Sequence, residues 1–118
     1  MGAKPQAPTL AEIVYHYLGL FRRSSREVEF ERAQAQFVQA IQRTQSVDEI
    51  RAALALDIRS RQLPVQMKSP AYERLLSLSG RTPTLLREYA QEMYDFGPDF
   101  KHYADELWEE AKYLDGKA

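Results

Sequence analysis

His16 and His102 are the only two histidines in this chain of 118 residues, and each stands near a carboxylate at helical spacing. Glu12-x3-His16 would put two ligand types on one helical face. Asp99-x2-His102 has the i, i+3 spacing used by metal sites in helical bundles. Glu27 and Glu31, Glu88 and Glu92, and Glu106 and Glu110 add carboxylate pairs at i, i+4, a spacing that also suits a solvated face. A dinuclear carboxylate centre needs a Glu from each of two helices and two Glu-x-x-His units. Here there is one acid-x-x-His, and it uses Asp, so no metal and no cofactor are expected. Cysteine is absent, which removes thiolate nucleophiles and every cysteine-ligated metal centre. There is no G-x-S-x-G, and the five glycines are isolated, so neither a nucleophile elbow nor a phosphate-cradling loop is indicated. No catalytic residue is assigned, and the reading leans away from an enzyme.

Nucleic-acid recognition has one foothold. Residues 71–95, AYERLLSLSGRTPTLLREYAQEMYD, read as a helix, a turn at Ser79-Gly80-Arg81 and a second helix from Pro83, the outline of a helix-turn-helix. Arg81 and Arg87 would be its contacts to phosphates and bases. Glu88, Glu92 and Asp95 share that second helix and carry the wrong sign for a phosphate backbone, whose neutralisation supplies most of the affinity. The net charge of −1 provides no global attraction either. A plain helical hairpin is therefore the preferred reading, and DNA binding is the alternative.

The remaining signal is physical rather than chemical. Leu10 to Phe21, LAEIVYHYLGLF, is interrupted only by Glu12 and His16. At about 100° per residue, Glu12, His16 and Gly19 share one narrow stripe, and the apolar arc spans roughly 220°. Such a helix needs cover on two flanks, from its own chain or from a second one. The Glu12/His16 stripe reads first as its water-facing side; a partly buried His16 would make association pH-sensitive. The chain has seven tyrosines, five phenylalanines and one tryptophan. Tyr15, Tyr89, Tyr94 and Tyr113 are not expected all to be core on short helices, and aromatic side chains are favoured interface anchors, with full burial within the chain as the alternative. Tyr15, Leu20 and Phe21 are the candidate anchors.

Local signals define the elements that would carry these residues. The composition, 44% apolar and 28% charged, suits a folded globular chain rather than a disordered one. Residues 1–8 read as a flexible leader and 116–118 as a tail, with a single helical domain over 9–115. Thr9 with Glu12 predicts a capped helix over 10–23. Ser25 is expected to cap a second helix to Thr44, with Ala33, Phe37, Ala40 and Ile41 on its core face. Ser46 should cap a third, striped by Val47, Ile50, Leu54 and Ile58 and ended by Leu63-Pro64-Val65. Ser69-Pro70 and Thr82-Pro83 each set a capping hydroxyl before a proline suited to the first helical position, predicting helices over 70–79 and 83–95. Gly80 and Gly97-Pro98 are their stops, and an amphipathic helix comes next over 99–115. No stretch alternates like a strand. The fold class is all-α, a compact bundle of five or six short helices.

Ala33-x3-Phe37-x2-Ala40 recurs as Ala104-x3-Trp108-x2-Ala111. At these positions the spacing resembles the second helix of a tetratricopeptide-type hairpin, which would imply stacked helical pairs. The turns here are longer than that pattern, and its other positions are unfilled.

The apolar run is too short to span a bilayer, which takes about 20 residues, and no secretory leader is recognisable. Together with the lack of cysteine this fits a cytoplasmic protein. The expected function is that of a small non-enzymatic helical protein that binds another protein chain, including a copy of itself, in an adaptor, regulatory or structural role. A second alternative to it, after DNA binding, is a ligand-binding or enzymatic bundle with polar groups gathered from distant helices.

Overall fold

A computed structural model describes residues 7–57 and 61–117. Among these the chain is all-α, with six α-helices, one 3-10 turn and no strand, in agreement with the class and helix number expected. Within the 9–115 span lie two compact units, divided between Leu63 and Pro64. Residues 1–6 of the expected leader, Ala118 of the tail and Ile58 of the third helix's stripe lie outside the described residues.

The first unit holds α1 (Leu10–Arg22), α2 (Glu27–Arg43) and α3 (Val47–Ala55), with α1 packed on both others. Thr9 caps α1: its hydroxyl accepts from the Glu12 backbone N–H and donates to Glu12 Oε1, both at 3.1 Å. Leu10, Ile13, Val14, Tyr17 and Leu20 are buried, along with Ala33, Phe37 and Ile41 of α2 and Ile50 and Ala53 of α3. Tyr17, Phe21 and Phe30 meet edge to face, with centroids 4.8 to 5.5 Å apart, an arrangement aromatic quadrupoles favour.

Two boundaries differ from expectation here. Ser25 does not cap α2, whose N-cap is Arg26 without a side-chain bond. Ser24 is left-handed, with φ 49°, and the Ser25 N–H turns back to the Leu20 carbonyl at 3.3 Å. The serine pair therefore closes α1 instead of opening α2. The third helix ends at Ala55, and Asp57 fixes the backbone of residues 61–63. Asp57 is 1% exposed; its Oδ1 accepts from the backbone N–H groups of Gln62 at 2.6 Å and Leu63 at 3.0 Å, and its carbonyl accepts from the Arg61 N–H.

The second unit holds α4 (Val65–Ser79), α5 (Pro83–Asp95), the 3-10 turn Pro98–Phe100 and α6 (Lys101–Gly116). Helix α5 packs on both α4 and α6. Thr82 caps α5 by accepting from the Leu85 N–H, with Pro83 at the first position. Gly80 ends α4 at φ 89°, a conformation glycine adopts without strain. Helix α4 begins at Val65, five residues before the expected start at Pro70. The Pro64 carbonyl accepts from both the Met67 and Lys68 N–H groups at 3.0 Å, and Met67, Lys68, Ala71, Tyr72, Leu75 and Leu76 form one buried stripe. Pro70 therefore lies inside the helix and removes the bond to the Gln66 carbonyl. Gln66 is exposed, where water can replace that bond.

Candidate interaction surface

The core takes only part of the α1 arc. Tyr15 is 73% exposed and Phe21 43% exposed, while Ala11, Leu18 and Gly19 are half-buried. Leu20, expected as an anchor beside them, is 2% exposed. It belongs to the stripe that faces inward and is not available at the surface, a correction that arises from its i+3 relation to Tyr17.

Tyr15 stands where two shallow grooves adjoin. One, of about 470 Å³, runs along Glu12, Tyr15, His16 and Gly19 and is bordered by Arg23 and Leu56. The other, of about 630 Å³, runs along Leu18, Phe21 and Arg22 toward Gln62 and again includes Tyr15, Gly19 and Leu56. Leu56, at the end of α3, is 41% exposed. Sequence reasoning missed it because nothing in its local pattern distinguishes it from the core leucines. Glu12 and His16 are both exposed, as a water-facing stripe would be, and they line the first groove. Isolated exposed apolar residues are ordinary. A contiguous set of Tyr15, Leu18, Phe21 and Leu56 around two grooves is less so.

The other candidates lie in the second unit, and most are engaged. Arg81 forms a two-point pair with Glu110, Nε to Oε2 at 2.6 Å and Nη2 to Oε1 at 2.7 Å. This hydrogen bonding raises the guanidinium pKa above its ordinary value and lowers that of the Glu110 carboxyl. Arg87 pairs with Asp115. Both arginines expected to meet phosphates are thus bound to carboxylates of α6. His102 is exposed and lies 3.1 Å from Glu106; Asp99 is exposed beside it. Glu88 accepts from the Tyr72 hydroxyl and Glu92 from the Lys68 ammonium, each at 2.8 Å. Carboxylates at i, i+4 therefore serve different partners. Among the described residues no three His, Asp or Glu side chains gather as a metal would need.

A polar chain that spacing did not reveal runs from α4 through α5 to α6. The Ser69 and Tyr89 hydroxyls are 2.7 Å apart, those of Tyr89 and Tyr103 3.2 Å apart, and Tyr103 donates to Glu73 Oε1 at 2.7 Å. The Tyr72 and Tyr89 rings stack at 5.2 Å, 9° from parallel. Burial is the first cause that raises the pKa of Tyr89 and, strongly, that of Tyr103, whose bonds to Tyr89 and Glu73 add to it. Both phenols stay protonated at neutral pH, so the chain ties three helices together rather than supplying a nucleophile.

Among the described residues, no helix is long and apolar enough to cross a membrane. Comparison with family models, with curated proteins and with solved structures yields no match for this chain.

Proposed function

We propose that this protein is a non-enzymatic binding module whose working surface is the outer face of α1, and that it takes another protein chain there in an adaptor, regulatory or structural role. The observation that supports this most directly is the 73% exposure of Tyr15 at the junction of two grooves that share Gly19 and Leu56. Tyrosine suits such a place: it buries a large area with few rotors and keeps a polar tip. Removing apolar surface from water yields roughly 25 cal/mol per Å², but association itself costs several kcal/mol. The grooves supply the shape that close packing against a partner requires.

A photo-crosslinking amino acid placed at position 15, at 18 and, as a control, at the exposed α2 position 36 tests the reading in cells. One recurring polypeptide adduct at 15 and 18, absent at 36, is the expected result. Equal or absent adducts at all three positions would overturn it.

A further inference from the structure

We propose that the partner on this surface is a second copy of the chain, with the two α1 helices side by side and antiparallel. The inference rests on the reading of α1 as the working surface and names its occupant. Charge placement carries it. Glu12 lies in the first turn of α1 and Arg23 caps its last, and both border the same groove. They are eleven residues apart, about 16 Å along a helix, and only about 20° apart around it. A twofold axis near residue 17 reverses one copy and brings Glu12 of each helix beside Arg23 of the other, on one side of the contact. A parallel pair would instead place like charges together.

The same axis matches shape. Tyr15 and Gly19 are equidistant from residue 17, so the projecting phenol of each copy lies over the other's glycine. Nothing among the described residues requires a glycine at position 19. Among them, a Cβ there would meet only Arg23 Nη2, at 3.9 Å, and its backbone is not left-handed. Glycine inside a helix is destabilising relative to alanine, so what its own chain leaves unexplained is accounted for by close approach from outside.

Sedimentation of the purified protein over a concentration series, with charge-reversed variants, tests the pairing. The wild-type chain is expected to dimerise with concentration. Glu12→Arg and Arg23→Glu should each weaken the dimer by about tenfold or more, since each sets like charges together, and the double reversal should restore it. Tyr15→Ser should weaken association with helicity unchanged. Gly19→Ala should raise the Tm of the monomer while weakening the dimer, opposite signs that a purely structural glycine would not give. A wild-type chain that stays monomeric, or a dimer indifferent to the single reversals or not restored by the double one, overturns the pairing. The crosslink at position 15 then separates the two readings. An adduct with a different polypeptide retains α1 as a binding surface and removes only the self-partner, whereas no adduct removes both.

Discussion

The Glu49 carboxylate accepts the backbone N–H of Leu10 at 3.1 Å, across 39 residues of sequence. A side chain in the first turn of α3 thereby satisfies one of the donors that the start of α1 leaves over. Its other oxygen accepts from the Thr44 hydroxyl at 3.2 Å, and its own N–H goes to Ser46 Oγ. One residue thus fixes the start of α3 and the start of the helix that carries the working surface.

Glu49→Ala keeps the N–H that Ser46 caps but removes the acceptor of Leu10 and Thr44. It should therefore loosen the start of α1 and lower stability by about 1–2 kcal/mol, the usual effect of losing a cap bonded to a charged group. Glu49→Gln, which keeps an acceptor, should lose less. Urea unfolding followed by circular dichroism measures the difference, and the substitution should also speed hydrogen exchange at the Leu10 amide.

Alkaline stability should depend on the tyrosine chain of the second unit. The folded state raises the pKa of Tyr89 and Tyr103 above the ordinary value of 10.0. Above that value the unfolded chain loses phenolic protons that the folded chain keeps, so the contribution is full below it and declines as pH rises past it. Tyr89 and Tyr103 should form phenolate late and together with unfolding, as seen by near-ultraviolet absorbance. Tyr89→Phe, at a position 0% exposed, should cost about 1 kcal/mol by removing the bonds to the Ser69 and Tyr103 hydroxyls, while Tyr103 keeps its bond to Glu73.

The Arg81–Glu110 pair sets an acid limit of opposite sense. The bond lowers the Glu110 pKa below its ordinary value of 4.5, so its stabilisation is present above that value and is lost as pH falls through the folded one. Both side chains are a third or more exposed, and screening holds the contribution below about 1 kcal/mol. Glu110→Gln should flatten the fall in Tm between pH 4.5 and more acid solution, leaving the neutral Tm little changed.

Binding to duplex DNA should be undetectable by fluorescence anisotropy even in low salt. A phosphate approaching Arg81 or Arg87 must displace Glu110 or Asp115 and meet the acidic residues around them. The variant Glu110→Ala/Asp115→Ala removes both acceptors and frees both guanidiniums. Tight, salt-dependent binding by the wild-type chain would revive the helix-turn-helix alternative.

What the sequence discloses here is what local chemistry decides. Thr9, Ser46 and Thr82 each accept the N–H three residues on, so three of the helix starts were readable from a hydroxyl and its neighbours. The start of α4 was not. Ser69-Pro70 has the local form of a helix start, but Met67 and Lys68 are buried and draw the helix back to Val65. Tertiary packing outweighs the proline there. The α1 surface was half legible: a 220° arc shows that some flank is uncovered, but which one depends on where α2 and α3 lie. That is why Tyr15 and Phe21 stay outside while Leu20 goes in. The tyrosine chain joins residues 14 to 30 positions apart, beyond the reach of any spacing rule.

Lys68 has its ammonium on Glu92 at 2.8 Å and 5.8 Å from the centre of the Phe96 ring, and the residue is 8% exposed. Lys101, Lys112 and Lys117 stand in solvent. An amine-directed acylating reagent therefore reaches those three at once and Lys68 only in the moments when α4 and α5 part. The rate at which Lys68 gains an acyl mass is a clock for the breathing of that helix pair, built into the native chain and readable by mass spectrometry without an added label.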